Sequence, residues 1–129
     1  MLNDPLAATL SKILNAERVG HREVVVRPAS KIMKTVLTIM HEHNYLGSYE
    51  EETDSKGGKL KLNLLGNINN CGVIKPRFST KHNGFEKWEK RYLPAKDFGI
   101  ILVSTPLGIM THVQAREKNT GGKLLAFCY

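Results

Sequence analysis

The hydrophobic positions change period several times along the chain, and each change marks an element. Leu6, Leu10, Ile13 and Leu14 stand three and four apart on one helical face, behind Asn3-Asp4-Pro5. A side-chain acceptor followed by proline suits a helix start, and Gly20 predicts the end. Glu23–Arg27 carries three successive valines, a β-branched strand stopped by Pro28. Ser30 is placed to cap a second helix with the apolar stripe Ile32, Met33, Val36, Leu37 and Met40, and Asn44 is its stop. Tyr45–Glu52 and Lys59–Leu65 then read as an antiparallel pair across the turn-rich Asp54-Ser55-Lys56-Gly57-Gly58. Strict alternation in Lys59–Leu64 gives one apolar face and one wet face. The predicted order is α-β-α-β-β, two helices on one side of a three-stranded sheet.

Gly66–Gly72 has no usable period and is rich in turn residues, so the domain boundary is placed there: residues 1–66 form one α/β domain and 67–129 a second, basic one. Val73–Phe78 predicts a strand. Residues 79–94 resist a reading, mixing four Lys and Arg with Phe85, Trp88 and Tyr92. That spacing favours packing for Trp88 and leaves Tyr92 open between packing and base stacking. Ile100–Val103 is an apolar strand ending in two hydroxyl residues, Ser104 and Thr105. Pro106 and Gly108 force a tight turn. Ile109-Met110 resumes the apolar run, and Thr111 with Gln114 three residues on spells a capping box for a short helix. Gly121-Gly122 turns the chain into a last apolar strand, Lys123–Tyr129. The expected fold class is α+β in two small domains, the second a β-rich unit with one short helix.

Composition narrows the function. A 129-residue chain with 41% hydrophobic residues can bury a core without disulfides or metal. No apolar run approaches the roughly 20 residues that span a bilayer. The start of the chain lacks the basic-then-apolar pattern of a secretory leader, so a cytoplasmic protein is expected. Cys71 and Cys128 belong to no CxxC pair and lack zinc-finger spacing to histidine; they read as small buried hydrophobes, with no metal and no cofactor. The net charge of +7 is unevenly spread: residues 1–66 hold nine Lys/Arg against eight Asp/Glu, and residues 67–129 hold ten against four. A near-neutral half joined to a basic half points to a polyanionic partner for the second.

The turn at residues 104–108 is the candidate site. Its hydroxyls could reach base edges and 2′-OH groups of an RNA, or bond to local backbone; the residues alone leave both open. Arg116, Lys118 and Lys123 follow closely and read as phosphate partners, whereas the Thr111 helix start is first of all a cap. In the first half Lys31, in the opening turn of a helix, opposes the helix dipole, an arrangement that a phosphate would relieve, although a solvated lysine fits the residues equally well. Lys12 and Arg18 are weaker candidates of the same kind. Catalysis finds no support: Ser104 and His112 could be imagined as nucleophile and base, but there is no GxSxG elbow, no paired carboxylates, no phosphate loop and no HExxH. His41 and His43, two apart at a helix end, need no metal to explain them.

In order along the chain stand Asp4-Pro5-Leu6-Ala7, Asn15-Ala16, Arg27-Pro28-x-Ser30-Lys31, Cys71-Gly72-Val73-Ile74-x-Pro76-Arg77-Phe78 and Glu86-Lys87-Trp88. Ser104-Thr105-x-x-Gly108-Ile109-Met110-Thr111, Ala115-Arg116 and Gly121-Gly122-Lys123 complete the series. Together they resemble the eighth small-subunit ribosomal protein family, in its archaeal and eukaryotic cytoplasmic branch, over nearly the whole chain. The resemblance implies that the Ser104-Thr105 loop with Gly108 contacts the central domain of the small-subunit rRNA. It also implies direct binding early in assembly and neighbouring ribosomal proteins as further partners, with no membrane and no small-molecule substrate. Arg77 enters the candidate RNA-binding set with Arg116, Lys118, Lys123, Lys31, Lys12 and Arg18. Three positions depart from the usual bacterial pattern: Pro106-Leu107 stand where a small polar residue and a lysine are common, and Lys123 where a glutamate often stands. A free-standing regulatory RNA-binding module and a small serine hydrolase are the alternatives.

Overall fold

The computed structural model describes residues 5–27, 31–54, 57–75, 77–95 and 98–129, without the side chains of residues 52–57. The chain divides into two compact units, Met1–Asn70 and Cys71–Tyr129. It is α+β throughout, with antiparallel sheets in both units.

The first unit runs α1 (Pro5–Val19), β1 (Glu23–Val26), α2 (Lys31–Glu42), β2 (Leu46–Asp54), β3 (Gly57–Leu64). Its sheet has the order β1-β3-β2, with β3 central. Val24 and Val26 of β1 are buried, as are Leu60, Leu62 and Leu64 of β3, while Glu23 and Val25 face away. One sheet face is therefore dry, covered by Leu6, Leu10 and Ile13 of α1 and Met33, Val36 and Met40 of α2. The expected residues Asn3, Asp4 and Ser30 at the helix starts lie outside the described residues. Both stops are visible. Gly20, at φ 90°, and Asn44, at φ 63°, take the left-handed conformation that ends a helix. His21 and Tyr45 then donate their N–H groups back to the carbonyls of Ala16 and Met40, at 3.0 and 2.9 Å, the six-to-one bond of a Schellman end.

Two expectations need correction here. Ile32, assigned to the α2 stripe, is 40% exposed. It lies on the stripe's flank in the first turn, and Ile39, on the same flank two turns further on, is buried instead. The strand pair is also longer than expected: pairing continues to Asp54↔Gly57, so residues 54, 57 and 58 belong to the ladder and not to the turn.

The second unit holds β4 (Cys71–Val73), β5 (Ser79–Thr80), α3 (Phe85–Tyr92), β6 (Ile100–Thr105), β7 (Gly108–Thr111), α4 (His112–Glu117) and β8 (Gly122–Cys128). The sheet order is β4-β8-β6-β7, and β5 also pairs with β8. Of the expected strand over residues 73–78 only Val73 lies in a strand: β4 ends there, and β5 begins at Ser79. Both follow β8, through Ile74 N–H to Leu125 O (3.0 Å) and Leu124 N–H to Phe78 O (2.9 Å). Pro76, between the two strands in sequence, lies outside the described residues. The unread stretch contains α3, whose start at Gly84 has no side-chain cap. Phe85 and Trp88 of this helix join Ile74, Leu93, Ile101, Val103, Met110, Ala115 and Leu124 in one core. Trp88 stacks on Phe78 at 4.7 Å and Tyr92 on Phe127 at 5.5 Å, so both rings serve packing, with the Arg91 guanidinium 5.4–5.7 Å from Phe78, Trp88 and Tyr92.

Candidate nucleic-acid interface

The β6–β7 hairpin is rigid for reasons that can be named. Its ladder runs from Leu102↔Thr111 to Thr105↔Gly108, leaving only Pro106 and Leu107 as the turn. Gly108 has φ 119°, a conformation that only glycine adopts at little cost. The buried Thr105 locks the turn from inside: its hydroxyl donates to Gly108 O at 2.7 Å and accepts from Leu107 N–H at 3.1 Å. The local-backbone reading thus holds for Thr105. Ser104 is different, because it is exposed on the opposite face of β6.

Register places Ser104 in a row that the linear sequence hides. Ser79 on β5 pairs with Lys123 on β8, Lys123 with Ser104 on β6, and Ser104 with Ile109 on β7. Paired residues share a sheet face. Two exposed hydroxyls therefore flank one exposed lysine across three strands, and the half-buried Ile109 closes the row. The strands can approach there because residue 122 is glycine: a Cβ would collide with the carbonyl oxygen of Ser104. Gly121 is under the same constraint against the carbonyl oxygen of Thr80. Ser79 was missed by sequence reasoning, which has no access to register between strands over forty residues apart.

Behind the hairpin, α4 begins at a complete capping box. Thr111 Oγ1 accepts from Gln114 N–H at 3.3 Å, and Gln114 Oε1 accepts from Thr111 N–H at 3.1 Å. Two of the free amides are therefore used internally, the structural role expected of Thr111. Arg116 leaves α4 toward α3, where its guanidinium donates to the carboxylate of Glu89. Glu89 is only 2% exposed and Arg116 38%. His112, fully buried, accepts the Ile101 N–H through Nδ1 at 3.1 Å and sets Nε2 3.5 Å from the same Glu89 oxygen. An accepting Nδ1 leaves the ring proton on Nε2, facing the carboxylate. His112 thus continues the β6 ladder where the backbone turns into α4, and it is unavailable to Ser104 as a base. Arg116 is held by Glu89 first, and its outer part borders a cavity of about 330 Å³ with His82, Asn83 and Asn119.

The remaining candidates are scattered. Lys118 is exposed at the C-cap of α4, and Arg77 is exposed just before β5. In the first unit, Lys12 and Arg18 are exposed on α1 and Lys31 opens α2, also exposed. Among the described residues no three His, Cys, Asp or Glu side chains converge as a metal site, and no helix is long and apolar enough to cross a membrane.

Fold and site together define an α+β protein that displays a stiff hairpin beside the exposed Lys123 of β8, with no nucleophile–base pair at it among the described residues. The sequence model of the family described as ribosomal protein S8 matches residues 4–129. Small ribosomal subunit protein uS8 of Thermoplasma volcanium is 49% identical over 129 residues, which is the full length of both chains. The chain belongs to the ribosomal protein S8 family, and it is a structural ribosomal protein, not an enzyme.

Proposed function

We propose that this small-subunit protein binds the central domain of the small-subunit rRNA directly and stabilises its fold during assembly, with the hairpin of β6 and β7 as the specificity element. The observation that carries the reading is the row Ser79–Lys123–Ser104, in which a cation stands between two exposed hydroxyls on a surface stiffened by Thr105 and Gly108. Short hydroxyls allow close approach to base edges and 2′-OH groups, while the lysine meets phosphate as a compact charge. Ser104, Thr105 and Gly108 form the reading loop, Thr105 through its backbone and the turn it holds. Lys123, Lys118 and Arg77 supply phosphate contacts from the second unit, with the outer edge of Arg116 as a lesser one. Lys31 and Arg18 supply them from the first, whose Lys12 side is left as surface for neighbouring ribosomal proteins. Phosphate contacts give salt-sensitive affinity without sequence information, and the hairpin supplies the discrimination.

The test is a comparison of two RNAs. Ser104→Ala is expected to weaken binding to a central-domain fragment several-fold, as loss of one hydrogen bond of about 0.5–1.5 kcal/mol predicts, while binding to an unrelated duplex stays unchanged. Equal losses on both RNAs would remove the hairpin from recognition. Footprinting on naked small-subunit rRNA places the binding region, and protection outside the central domain would overturn that part.

A further inference from the structure

The two edges of the first unit's sheet are finished differently. β2 exposes Glu50 and also carries Glu51, paired with Lys34 at 2.9 Å, and its register against β3 shifts between Leu46 and Tyr49. Outward charge and an irregular ladder both discourage another strand from adding. β1 is less protected. Its pairing with β3 is regular from Glu23 to Val26, it contains no proline, and its one acid, Glu23, is taken by Lys61 at 3.3 Å. Val25 is 40% exposed. Leu64 N–H bonds to Arg22 O at 2.8 Å, and antiparallel alternation therefore turns the backbone groups of Val24 and Val26 toward β3. The N–H and C=O of Glu23 and Val25 point to the open edge.

A groove follows that edge. Two cavities of about 400 and 230 Å³ lie between β1 and α1, and both are lined by Lys12 and Val25. The wall from α1 is Ala8, Lys12, Ala16 and Val19, one residue per turn on one side of the helix, with Val19 72% exposed. Small side chains leave room beside the strand, and Lys12 puts a positive charge over both cavities. We propose that the groove receives an extended segment of a neighbouring polypeptide in the ribosomal particle, which adds to β1 as a further strand and brings an acidic side chain to Lys12. The alternating free backbone groups fit a polypeptide main chain, whose donors and acceptors share that repeat. An RNA backbone would meet Lys12 but leave those groups unmatched. The inference rests on membership of a ribosomal particle and not on RNA recognition by the second unit.

Val25→Pro tests it, because the proline removes only the outward N–H and leaves the bonds to β3 in place. In the free wild-type protein the Glu23 and Val25 amides are expected to exchange fast, and in assembled small subunits at least tenfold more slowly. A photo-crosslinker at Asn15, which borders the groove, is expected to capture one extended segment containing Asp or Glu. Val25→Pro should lose that crosslink while keeping wild-type affinity for rRNA, which separates a failure here from a failure of the RNA reading. Should the proline variant not fold, Val19→Glu serves instead, since it repels an acidic segment from an exposed position. Equal amide exchange in both states, a crosslink to RNA, a captured segment without acid, or a crosslink that survives the variants would each overturn the proposal.

Discussion

Residue 122 shows how much of the candidate surface depends on a missing side chain. The Ser104 carbonyl occupies the space a Cβ would need, and backbone on a paired strand cannot swing aside as a flexible side chain would. Gly122→Ala is expected to cost about 1–3 kcal/mol, as overpacking of close-fitting structure does, read as a lower denaturant midpoint at unchanged slope. Thr105→Val keeps the shape but removes two hydrogen bonds at the turn. It is expected to destabilise by about 1–2 kcal/mol, and Thr105→Ser should restore most of the loss, since only the hydroxyl is needed. Ser104→Ala, by contrast, is expected to leave the melting temperature nearly unchanged and act on RNA affinity alone. These adjacent hydroxyls thus have separate jobs, one holding the hairpin and the other displayed by it. Their order along the chain gives no sign of this, because only the alternation of faces in the folded strand separates them.

At the scale of elements, α3, α4 and β6 are joined by one buried carboxylate. Glu89 receives Arg116 directly and faces His112, which in turn holds the Ile101 N–H. Removing one partner of a buried pair leaves an uncompensated charge, at a cost of about 3–5 kcal/mol, lessened here because Arg116 is partly solvated. Glu89→Ala and Arg116→Ala are therefore each expected to lower the unfolding free energy, and the double variant to lose less than their sum. A coupling indistinguishable from zero in that cycle would show that the pair is screened by solvent. Arg116→Ala should accordingly act on stability before it acts on the salt dependence of RNA binding.

Elements with a clear period and a marked stop were legible in the sequence: α1, α2, the alternating β3, the 104–108 turn and the Thr111 capping box. α3 was not, although Phe85, Trp88 and Tyr92 have helical spacing, because Gly84 offers no cap and charges crowd the remaining positions. The 73–78 strand was misread because Val73, Ile74 and Phe78 look like one strand's apolar residues, whereas pairing with β8 ends at Val73 and resumes at Ser79. The Glu89–Arg116 pair was invisible for a different reason. A carboxylate among lysines on a short polar helix looks solvated until the partner helix is in place.

For the whole molecule, the division of charge has a measurable consequence. The second unit, Cys71–Tyr129, carries the ten cations and four acids counted beyond residue 66. Each phosphate neutralised contributes about 0.9 to the slope of log affinity against log salt on a duplex. Lys123→Ala and Lys118→Ala are expected to flatten that slope by about one each, measured by titration at several salt concentrations, and an unchanged slope would strike that lysine from the contacts. Lys31→Ala should flatten it only if the first unit also touches the RNA, so the same measurement shows how far the binding surface extends.

The Ser79–Lys123–Ser104 row is contributed by three strands spread over forty-five positions of the chain, and its last member to be synthesised is Lys123. A nascent chain still lacking β8 would carry most of the positive charge yet possess no assembled recognition face. Such a molecule could cling to any nucleic acid but discriminate none. On the reading proposed above, selective entry into the particle is expected only of copies whose second sheet has closed.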